Sequence, residues 1–567
     1  MLHVLRDYAF VGDGERGALV GPHGDFAWMC FPSWESEPVF SGLLGGTGTY
    51  VVCPVAERRV WGGYYEEHGL VWRSRWVVPD GLVECHEALA RPADRERAVV
   101  LRRLRGVKGP VRIRVRFGIG DDRELRREGG AWLGKADGVH FRWTGVPENA
   151  TGWPLAFELE LAEGETRDLV LELSTRPIEG RPEEPDRLWR RTRDDWQARI
   201  PDCSDTLAPR DARLAYAVLT GLTSSQGGMA AAATTSLPEH LAGTRNYDYR
   251  YAWIRDQCLA GHAVATHGGR LDLLDAATGF VADRLLEDGA RLKPAYTVAG
   301  GPIPKEREAG LPGYPGSRAV FGNRVTQQFQ LDAFGEALLL FSAAARHDHV
   351  DARIADAAAR AVRAIGERWH EDDYGIWETE LRQWTHSRLV CVAGLRRAAA
   401  LLATDRERAD WEDLADHIQA ETAKAALDAE GYWRRAPDDE RVDAALLLPA
   451  LRGAYPVDAE HATATYEKIR QDLEQEGFVY RYRLGDRPLG EEEGAFTLCG
   501  FLLSLADLQQ NERERALGRF ERARSACGTT GLFAEEYDVH QRQVRGNLPQ
   551  AFVHGLFLET AARLAAQ

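Results

Sequence analysis

The stretch VRIRVRF, at positions 111–117, alternates apolar and charged side chains with a period of two. Val111, Ile113, Val115 and Phe117 therefore lie on one face of an extended chain, and the three arginines lie on the other. This pattern predicts a strand of an antiparallel sheet that buries one face and leaves the other in solvent.

Two further stretches repeat this pattern in the first part of the chain. FELEL at 157–161 and LVLEL at 169–173 again place apolar residues at every second position. Turn sequences such as VPDG at 78–81 separate these segments, as in hairpin-rich folds. We therefore expect residues 1–180 to form an antiparallel β-sandwich.

The chain changes character after the predicted sandwich. Residues 181–207 carry Leu188, Trp189 and Trp196 at helical spacing and predict a linker helix. From residue 208 to 567 the apolar period becomes about 3.6 residues. Here we expect helices to begin near residues 208, 254, 270, 325, 350, 386, 405, 439, 457, 495, 511 and 548. This number fits helical hairpins closed into a toroid, although an open bundle array or a solenoid also fits.

The longest predicted non-helical segment is the Gly- and Pro-rich stretch 287–323. Loops this long in compact domains are usually functional or disordered. The aromatic residues in this segment favour an ordered loop that helps to build a site.

Composition and net charge limit the classes of molecule that the protein is expected to bind. The chain has 567 residues, and its 71 Lys and Arg against 87 Asp and Glu give a formal net charge of −16. Such a surface argues against nucleic acid and anionic membranes as partners, because both attract basic proteins. The eight cysteines are scattered without metal-type spacing. The sequence contains neither a leader pattern nor an apolar run long enough to cross a membrane, so the cytoplasm is the expected compartment.

The segment RNYDYRYAWIRDQ, at 245–257, concentrates four aromatic residues, three arginines and two aspartates. Sugars need this mixture, because their weakly apolar faces stack on rings such as Tyr249 and Trp253 while their hydroxyls bind paired donors and acceptors. Arg255 and Asp256, at a loop-to-helix junction, could bind two adjacent hydroxyls. A purely structural Arg–Asp network under aromatic packing explains the segment equally well.

Two segments supply candidate catalytic carboxylates. GIWETE places Glu378 beside the ring of Trp377, and a carboxyl against an apolar ring suits a general acid; an exposed Glu378 at a turn is the alternative. GLFAEEYD places Glu535 beside Glu536, and two dry, ionised carboxylates side by side are unfavourable. Either this pair marks a solvated turn, or one member works with a carboxylate from elsewhere in the chain.

Two weaker signals accompany these segments. VYRYRLG offers Arg481 as a further wall of a sugar pocket, or as part of a surface strand. Gln328, Asp332 and Glu336 share one helix face. For these three residues a solvated stripe is the expected environment, and the mouth of the toroid is the alternative.

Several segments, taken together and in this order, resemble glycoside hydrolase family 15, which includes glucoamylases, glucodextranases and bacterial or archaeal trehalases. The resemblance extends over nearly the whole chain, since the opening segment DYAFVGDGERGALVGPHGDFAWMCFPSWESEPVF also looks like that of the family. The internal motifs are RNYDYRYAWIRD, LPGYPGSRAVFGN, QLDAFGE, GIWE, VYRYR, EGAF, GLFAEEYD and GNLPQAF.

The resemblance implies an all-β plus all-α fold: an N-terminal antiparallel β-sandwich followed by an (α/α)6 helical barrel. It also implies an inverting mechanism without metal or organic cofactor, with Glu378 as general acid and Glu535 as general base. In inverting enzymes the two carboxyls lie about 6.5–9.5 Å apart, which leaves room for a water. Arg255 and Asp256 match the pair that holds the non-reducing-end glucose, and Arg481 matches a further sugar-binding arginine.

The remaining candidate sugar contacts are aromatic: Tyr249, Trp253, Tyr314, Trp377 and Trp384. Trp384 lies in a segment that departs from the family's pattern, because Val392 and Arg396 stand where Trp and Asp are common. We therefore expect Trp384 to restrict the leaving-group side to one or two sugars.

The expected activity is inverting, exo-acting hydrolysis that releases β-glucose from the non-reducing end of short malto- or isomalto-type oligosaccharides, isomaltose included. A trehalase of the same family is the alternative. An inverting disaccharide phosphorylase, which would not need Glu535, and a non-catalytic sugar-binding protein are weaker alternatives. The sequence leaves the linkage, the substrate length and the oligomeric state open, a homodimer included, and it assigns no role to Glu380, Glu493 or Glu536.

Overall fold

The computed structural model describes residues 2–120, 123–239, 245–485 and 487–567. Strands fill the first part of the chain and helices fill the rest, so the predicted order of an all-β and an all-α region is confirmed. The strands of the first part are β1 (Ala9–Gly12), β2 (Gly17–Val20), β3 (Phe26–Cys30), β4 (Pro38–Phe40), β5 (Thr49–Pro54), β6 (Val60–Tyr65), β7 (Trp72–Val78), β8 (Gly81–Leu89), β9 (Arg97–Lys108), β10 (Val111–Gly118), β11 (Arg123–Glu128), β12 (Ala131–Ala136), β13 (Val139–Thr144), β14 (Leu155–Leu161) and β15 (Thr166–Ser174).

These strands pair into three sheets, in the orders β1-β2-β3-β4, β14-β10-β5 and β11-β12-β13-β15-β9-β8-β7-β6. The stretch 111–117 forms β10 and alternates as predicted, with its apolar side chains buried and its arginines exposed. Its apolar face packs against the eight-stranded sheet, where the ring centroid of Phe117 lies 5.0 Å from that of Trp143. On the outer face Arg112 and Arg114 both pair with Glu158 of the neighbouring strand β14.

The middle of the eight-stranded sheet departs from the simple prediction, because β15 is buried on both faces. A helix, α1 (Pro185–Arg199), covers its outer face. Val170 on that face belongs to the same apolar cluster as Leu188 and Trp189 of α1, and the indole N–H of Trp189 donates to Asp168 at 3.0 Å. The linker segment therefore acts as a cover for the sheet.

Twelve further α-helices follow within the described ranges. They are α2 (Pro209–Leu222), α3 (Ile254–His267), α4 (Asp272–Asp288), α5 (Asp332–Ala345), α6 (Ala352–Arg368), α7 (Thr385–Leu401), α8 (Asp405–Ala426), α9 (Leu447–Arg452), α10 (Glu460–Leu473), α11 (Thr497–Gln509), α12 (Arg513–Arg524) and α13 (Ala551–Ala565). Short strands lie between them: β16 (Ala252–Trp253), β17 (Ala295–Tyr296), β18 (Arg307–Glu308), β19 (Val320–Phe321), β20 (Glu474–Gln475), β21 (Phe478–Val479), β22 (Ala495–Phe496), β23 (Glu536–Asp538) and β24 (Gln543–Arg545).

Alternate helices form a closed inner ring. Helix α3 contacts α5, α5 contacts α7, and contacts continue through α9, α11 and α13 back to α3. The other six helices pack outside this ring. The inner helix α5 is buried almost all round, whereas the outer helix α6 buries one face, as the two positions require. The predicted (α/α)6 barrel is thus confirmed.

The long segment 287–323 connects the barrel with the sandwich. The backbone N–H of Gly313 donates to the carbonyl of Leu44 at 2.9 Å. From the sandwich, the indole N–H of Trp28 donates to the carbonyl of Ala233 in the barrel at 3.1 Å. None of the helices in the described ranges combines the length and the apolar character needed to cross a membrane.

Candidate active site

A cavity opens at the end of the barrel where inner helices α3, α7, α11 and α13 begin. Eight of the ten predicted site residues line it, and Tyr314 and Trp384 do not. Helix N-termini carry a partial positive charge, so this end of the barrel favours carboxylates. The lining residues are Ala231, Tyr249, Trp253, Arg255, Asp256, Ile376, Trp377, Glu378, Arg481, Phe496, Glu535, Gln550 and Phe552.

Glu378 lies in the loop before α7 and is held from two sides. Its Oε1 accepts a hydrogen bond of 2.7 Å from the indole N–H of Trp253 and lies 3.4 Å from Nη1 of Arg255. Its backbone has a φ of +58°, a conformation that costs free energy for a residue other than glycine. The side chain remains 22% exposed. This carboxyl is therefore fixed at the cavity wall yet open to a ligand.

The neighbouring Trp377 is fixed separately. Its indole N–H donates to Asp443 at 2.7 Å, and its ring meets that of Phe496 edge-on with centroids 5.1 Å apart. Asp443 also caps the short turn before α9 through the N–H of Ala445. The loop that carries the acid candidate is thus tied to the next inner helix.

Arg255 and Asp256 occupy the first turn of α3. The Arg255 guanidinium donates to the carbonyl of Ile376 at 2.6 Å and to Oδ2 of Asp256 at 3.1 Å. Asp256 is fully buried, its Oδ1 has no hydrogen-bond partner in the described part of the chain, and burial raises its pKa against the opposing effect of Arg255. A buried acceptor with a free lone pair calls for a donor.

Glu535 and Glu536 point in different directions, as consecutive residues at the start of a strand do. Glu535 reaches the cavity and accepts a hydrogen bond of 3.2 Å from the Tyr249 hydroxyl. Glu536 instead accepts from the N–H of Gly494 at 2.9 Å and lies 3.4 Å from Nη2 of Arg481. Burial raises the pKa of Glu536 to about 8 despite Arg481. The two adjacent carboxyls therefore make different hydrogen bonds, although Glu239 and Arg481 influence the pKa of both.

Arg481 joins the cavity to an acidic cluster behind it. Its guanidinium lies 3.0 Å from Glu493 as well as close to Glu536, and Arg245 also pairs with Glu493. Fixed donors of this kind neutralise carboxylates that burial would otherwise disfavour. Arg481 thus faces the ligand space with part of its charge already balanced.

Tyr314 and Trp384 lie elsewhere. The Tyr314 hydroxyl donates to the backbone carbonyl of His3 at 3.0 Å, so this residue connects the long loop to the start of the chain. Trp384 is buried behind Trp377, where its indole N–H donates to the Glu380 carbonyl at 3.1 Å. Neither side chain lines the cavity that contains the paired carboxyls.

The comparisons with known proteins identify the family. The model of glycosyl hydrolases family 15 matches residues 213–562, and a trehalase-like N-terminal model matches residues 4–121. The chain belongs to glycosyl hydrolases family 15. A trehalase of Mycobacterium tuberculosis is 32% identical over 97% of this chain and 88% of its own length. Trehalase 1 of Sulfolobus acidocaldarius is 27% identical over 98% of both chains.

A solved structure agrees on the fold of this family 15 glycoside hydrolase. A bacterial glucoamylase, crystallised with acarbose, superimposes with a TM-score of 0.72 over 99% of this chain and 94% of its own, at 12% identity. At that identity the likeness concerns the sandwich and barrel alone.

Several site residues of this family 15 enzyme escaped prediction from the sequence. Phe496, Gln550 and Phe552 line the cavity and belong to the motifs EGAF and GNLPQAF, in which the sequence indicated no role for single residues. Glu239 gave no signal at all, because SLPEH reads as an ordinary turn. In the structure it is buried and accepts a hydrogen bond of 2.9 Å from the Tyr249 hydroxyl.

The predicted solvated stripe of Gln328, Asp332 and Glu336 is wrong, and Gln328 lies half-buried before α5 begins. Asp332 and Glu336 are buried inside the barrel, because α5 is an inner helix. Burial raises the pKa of Asp332 to about 6 and that of Glu336 to about 7. Both oxygens of Asp332 and one of Glu336 have no hydrogen-bond partner in the described part of the chain. Over that same part, no cluster of His, Cys, Asp and Glu side chains could hold a metal ion.

Proposed function

We propose that this glycoside hydrolase cleaves trehalose into two glucose molecules with inversion at the attacked carbon. The observation that carries the proposal is the likeness, over nearly the full length of the chain, to proteins named trehalase. Those relatives favour the trehalase alternative over hydrolysis of malto- or isomalto-oligosaccharides.

The cavity supports an acid–base reaction. Glu378, at the wall and partly exposed, donates a proton to the glycosidic oxygen as the bond from that oxygen to the anomeric carbon breaks. A water attacks the same carbon from the opposite side, and Glu535 takes the proton that the water releases. Each turnover therefore leaves Glu378 ionised and Glu535 protonated, and the solvent restores both.

The binding of one glucose ring is assigned to the residues around these carboxyls. Arg255 and Asp256 bind adjacent hydroxyls, since the first offers fixed donors and the second offers an unpartnered acceptor. Trp253 and Trp377 provide apolar walls at the same cavity. Glu535 argues against phosphorolysis, because phosphate would replace the water and need no base.

A substrate panel tests this proposal. The purified protein is incubated with trehalose, maltose, isomaltose, kojibiose and nigerose, with and without inorganic phosphate, and glucose and glucose 1-phosphate are measured. We expect the highest kcat/KM for trehalose and no dependence on phosphate as a co-substrate. A preference for maltose or isomaltose would overturn the substrate assignment, and glucose 1-phosphate would overturn hydrolysis.

A further inference from the structure

Glu239 lies directly behind the base candidate, Glu535. It is only 3% exposed and does not line the cavity. A Cβ at Gly546 would lie 3.4 Å from Cγ of Glu239 and 3.8 Å from Cβ of Glu535, so the two side chains pack against the same backbone. The fold thus brings two buried glutamates together beside the cavity.

The Tyr249 hydroxyl closes this arrangement into a triangle. Its oxygen lies 2.9 Å from Glu239 and 3.2 Å from Glu535. A phenol has one proton to donate, and ionised carboxylates have none. One phenolic proton cannot serve two ionised carboxylates at once, so at least one carboxyl proton is needed for both contacts to be hydrogen bonds.

We propose that Glu239 and Glu535 share one proton, and that Glu239 is a positioning residue that takes this proton whenever Glu535 acts as the base. The inference rests on the proposed function, in which Glu535 activates a water. With the shared proton on Glu239, this protonated carboxyl donates a hydrogen bond to Glu535 from the side away from the cavity. The side of the Glu535 carboxylate that faces the cavity then stays free.

The proton balance of the step is simple. Before attack, Glu239 is protonated and Glu535 is ionised. The water forms the new bond to the anomeric carbon and gives its proton to Glu535, while the proton on Glu239 stays in place. After product release the pair holds two protons and loses one to solvent, which restores the starting state.

The charged groups around the pair shift the pKa of Glu535 in both directions. Burial and the proximity of Glu239 raise the pKa of Glu535, and Arg481 lowers it. Two like carboxyls in contact are expected to titrate as a pair, with one ionisation displaced upward. The other titratable or charged groups that face the pair are Arg245, Tyr247, Tyr249, Arg255, Glu378, Glu493 and Glu536.

This sharing predicts a specific pH effect in Glu239→Gln. Hydrolysis needs the pair with one proton, and in the wild type the rate falls when rising pH removes that proton and leaves two adjacent anions. Glutamine is neutral at every pH and keeps the donated hydrogen bond, as protonated Glu239 does, so the acidic limb of kcat/KM should stay in place. The ionisation that removes the shared proton is absent from the variant, so we expect the alkaline limb to move to higher pH by about one unit or more, with kcat on the plateau within about tenfold of wild type.

Glu336→Gln is the matched control, because it changes another buried glutamate of the barrel, on α5 and outside the lining of the cavity. Its alkaline limb should coincide with that of the wild type. If the alkaline limb of Glu239→Gln also coincides with that of the wild type, Glu239 is a packing residue only and the proposal fails.

An infrared measurement tests the shared proton without substrate. Protonated carboxyls give a carbonyl stretch that ionised ones lack, and pH-difference spectra are recorded for wild type, Glu239→Gln and Glu535→Gln. We expect both variants to lose the same band near neutral pH. Persistence of that band in Glu239→Gln would refute sharing, whatever the substrate proves to be. Failure of the substrate panel alone would refute the proposed function and leave the shared proton standing.

Discussion

The indole N–H of Trp253 donates a hydrogen bond of 2.7 Å to the Glu378 carboxylate. Trp253 immediately precedes helix α3, and Glu378 belongs to the loop before α7, so the bond joins two segments of the inner ring. It fixes the carboxyl of a residue whose backbone is already strained, with φ at +58°. The orientation of the Glu378 carboxyl is thus determined by a contact with the barrel as well as by its own loop.

This bond predicts the effect of Trp253→Phe. The ring stays apolar, but Glu378 loses its donor and gains rotational freedom. Because a small misplacement of a catalytic group can cost about 100-fold in rate, we expect kcat to fall by about 10- to 100-fold while the thermal midpoint changes little. Steady-state kinetics with trehalose measure it, and an unchanged kcat would show that the loop alone positions the acid.

Catalysis should depend on both Glu378 and Glu535, the first as proton donor and the second as proton acceptor. Glu378→Gln and Glu535→Gln each remove a proton transfer that contributes about 100- to 10,000-fold, so each should lower kcat by at least that range. Glu380→Gln, at an exposed carboxyl on the same loop, is the control and should retain activity. Added azide should restore cleavage of trehalose in Glu535→Ala, because the anion needs no base and attacks the anomeric carbon in place of water to give β-glucosyl azide. Full activity in either glutamine variant would remove that residue from the mechanism.

Arg255→Lys should lower kcat/KM strongly although the charge is kept. A lysine cannot donate at once to the Ile376 carbonyl, Asp256 and Glu378 as the planar guanidinium does. We expect both a higher KM and a lower kcat, because substrate binding and the position of the acid depend on the same side chain. Isothermal titration with glucose separates the binding effect, and equal affinity in both proteins would contradict it.

The buried carboxyl of Glu336 predicts a pH-dependent gain in stability for Glu336→Gln. Burial raises its pKa from 4.5 to about 7, so the folded state keeps a proton that the unfolded state releases. Stability from this group is present at about pH 4 and is lost as pH rises toward neutrality. The difference in thermal midpoint, variant minus wild type, should therefore grow between about pH 4.5 and pH 7. A constant difference would mean that the carboxyl titrates normally.

Periodicity was sufficient to predict the β region, the helical region and their order, whereas the closed barrel followed only from the family resemblance. The alternation at 111–117 and the helical period after residue 208 follow from burial of one face, and β10 and the ring of helices bear this out. The environment of Asp332 was not predictable in this way. A polar residue on a helix reads as solvated unless the ring that encloses it is known.

The candidate site shows the same division. Motifs rich in aromatic and charged residues led to Arg255, Glu378 and Glu535, which line one cavity in the structure. Glu239 carries no such motif, since it meets Glu535 only through the fold, from a segment almost three hundred positions earlier. Contacts between segments so far apart in the sequence can be identified only from the folded structure.

The anomeric form of the first glucose released from trehalose tests the central claim most directly. Both rings of trehalose have the α configuration, so inversion at the attacked carbon yields one β-glucose and one α-glucose per turnover. Proton NMR in the first minutes, before mutarotation equilibrates the sugars, should show the two anomers in equal amounts. Release of α-glucose alone, or no cleavage of trehalose at all, would contradict the account in which Glu535 activates water opposite Glu378.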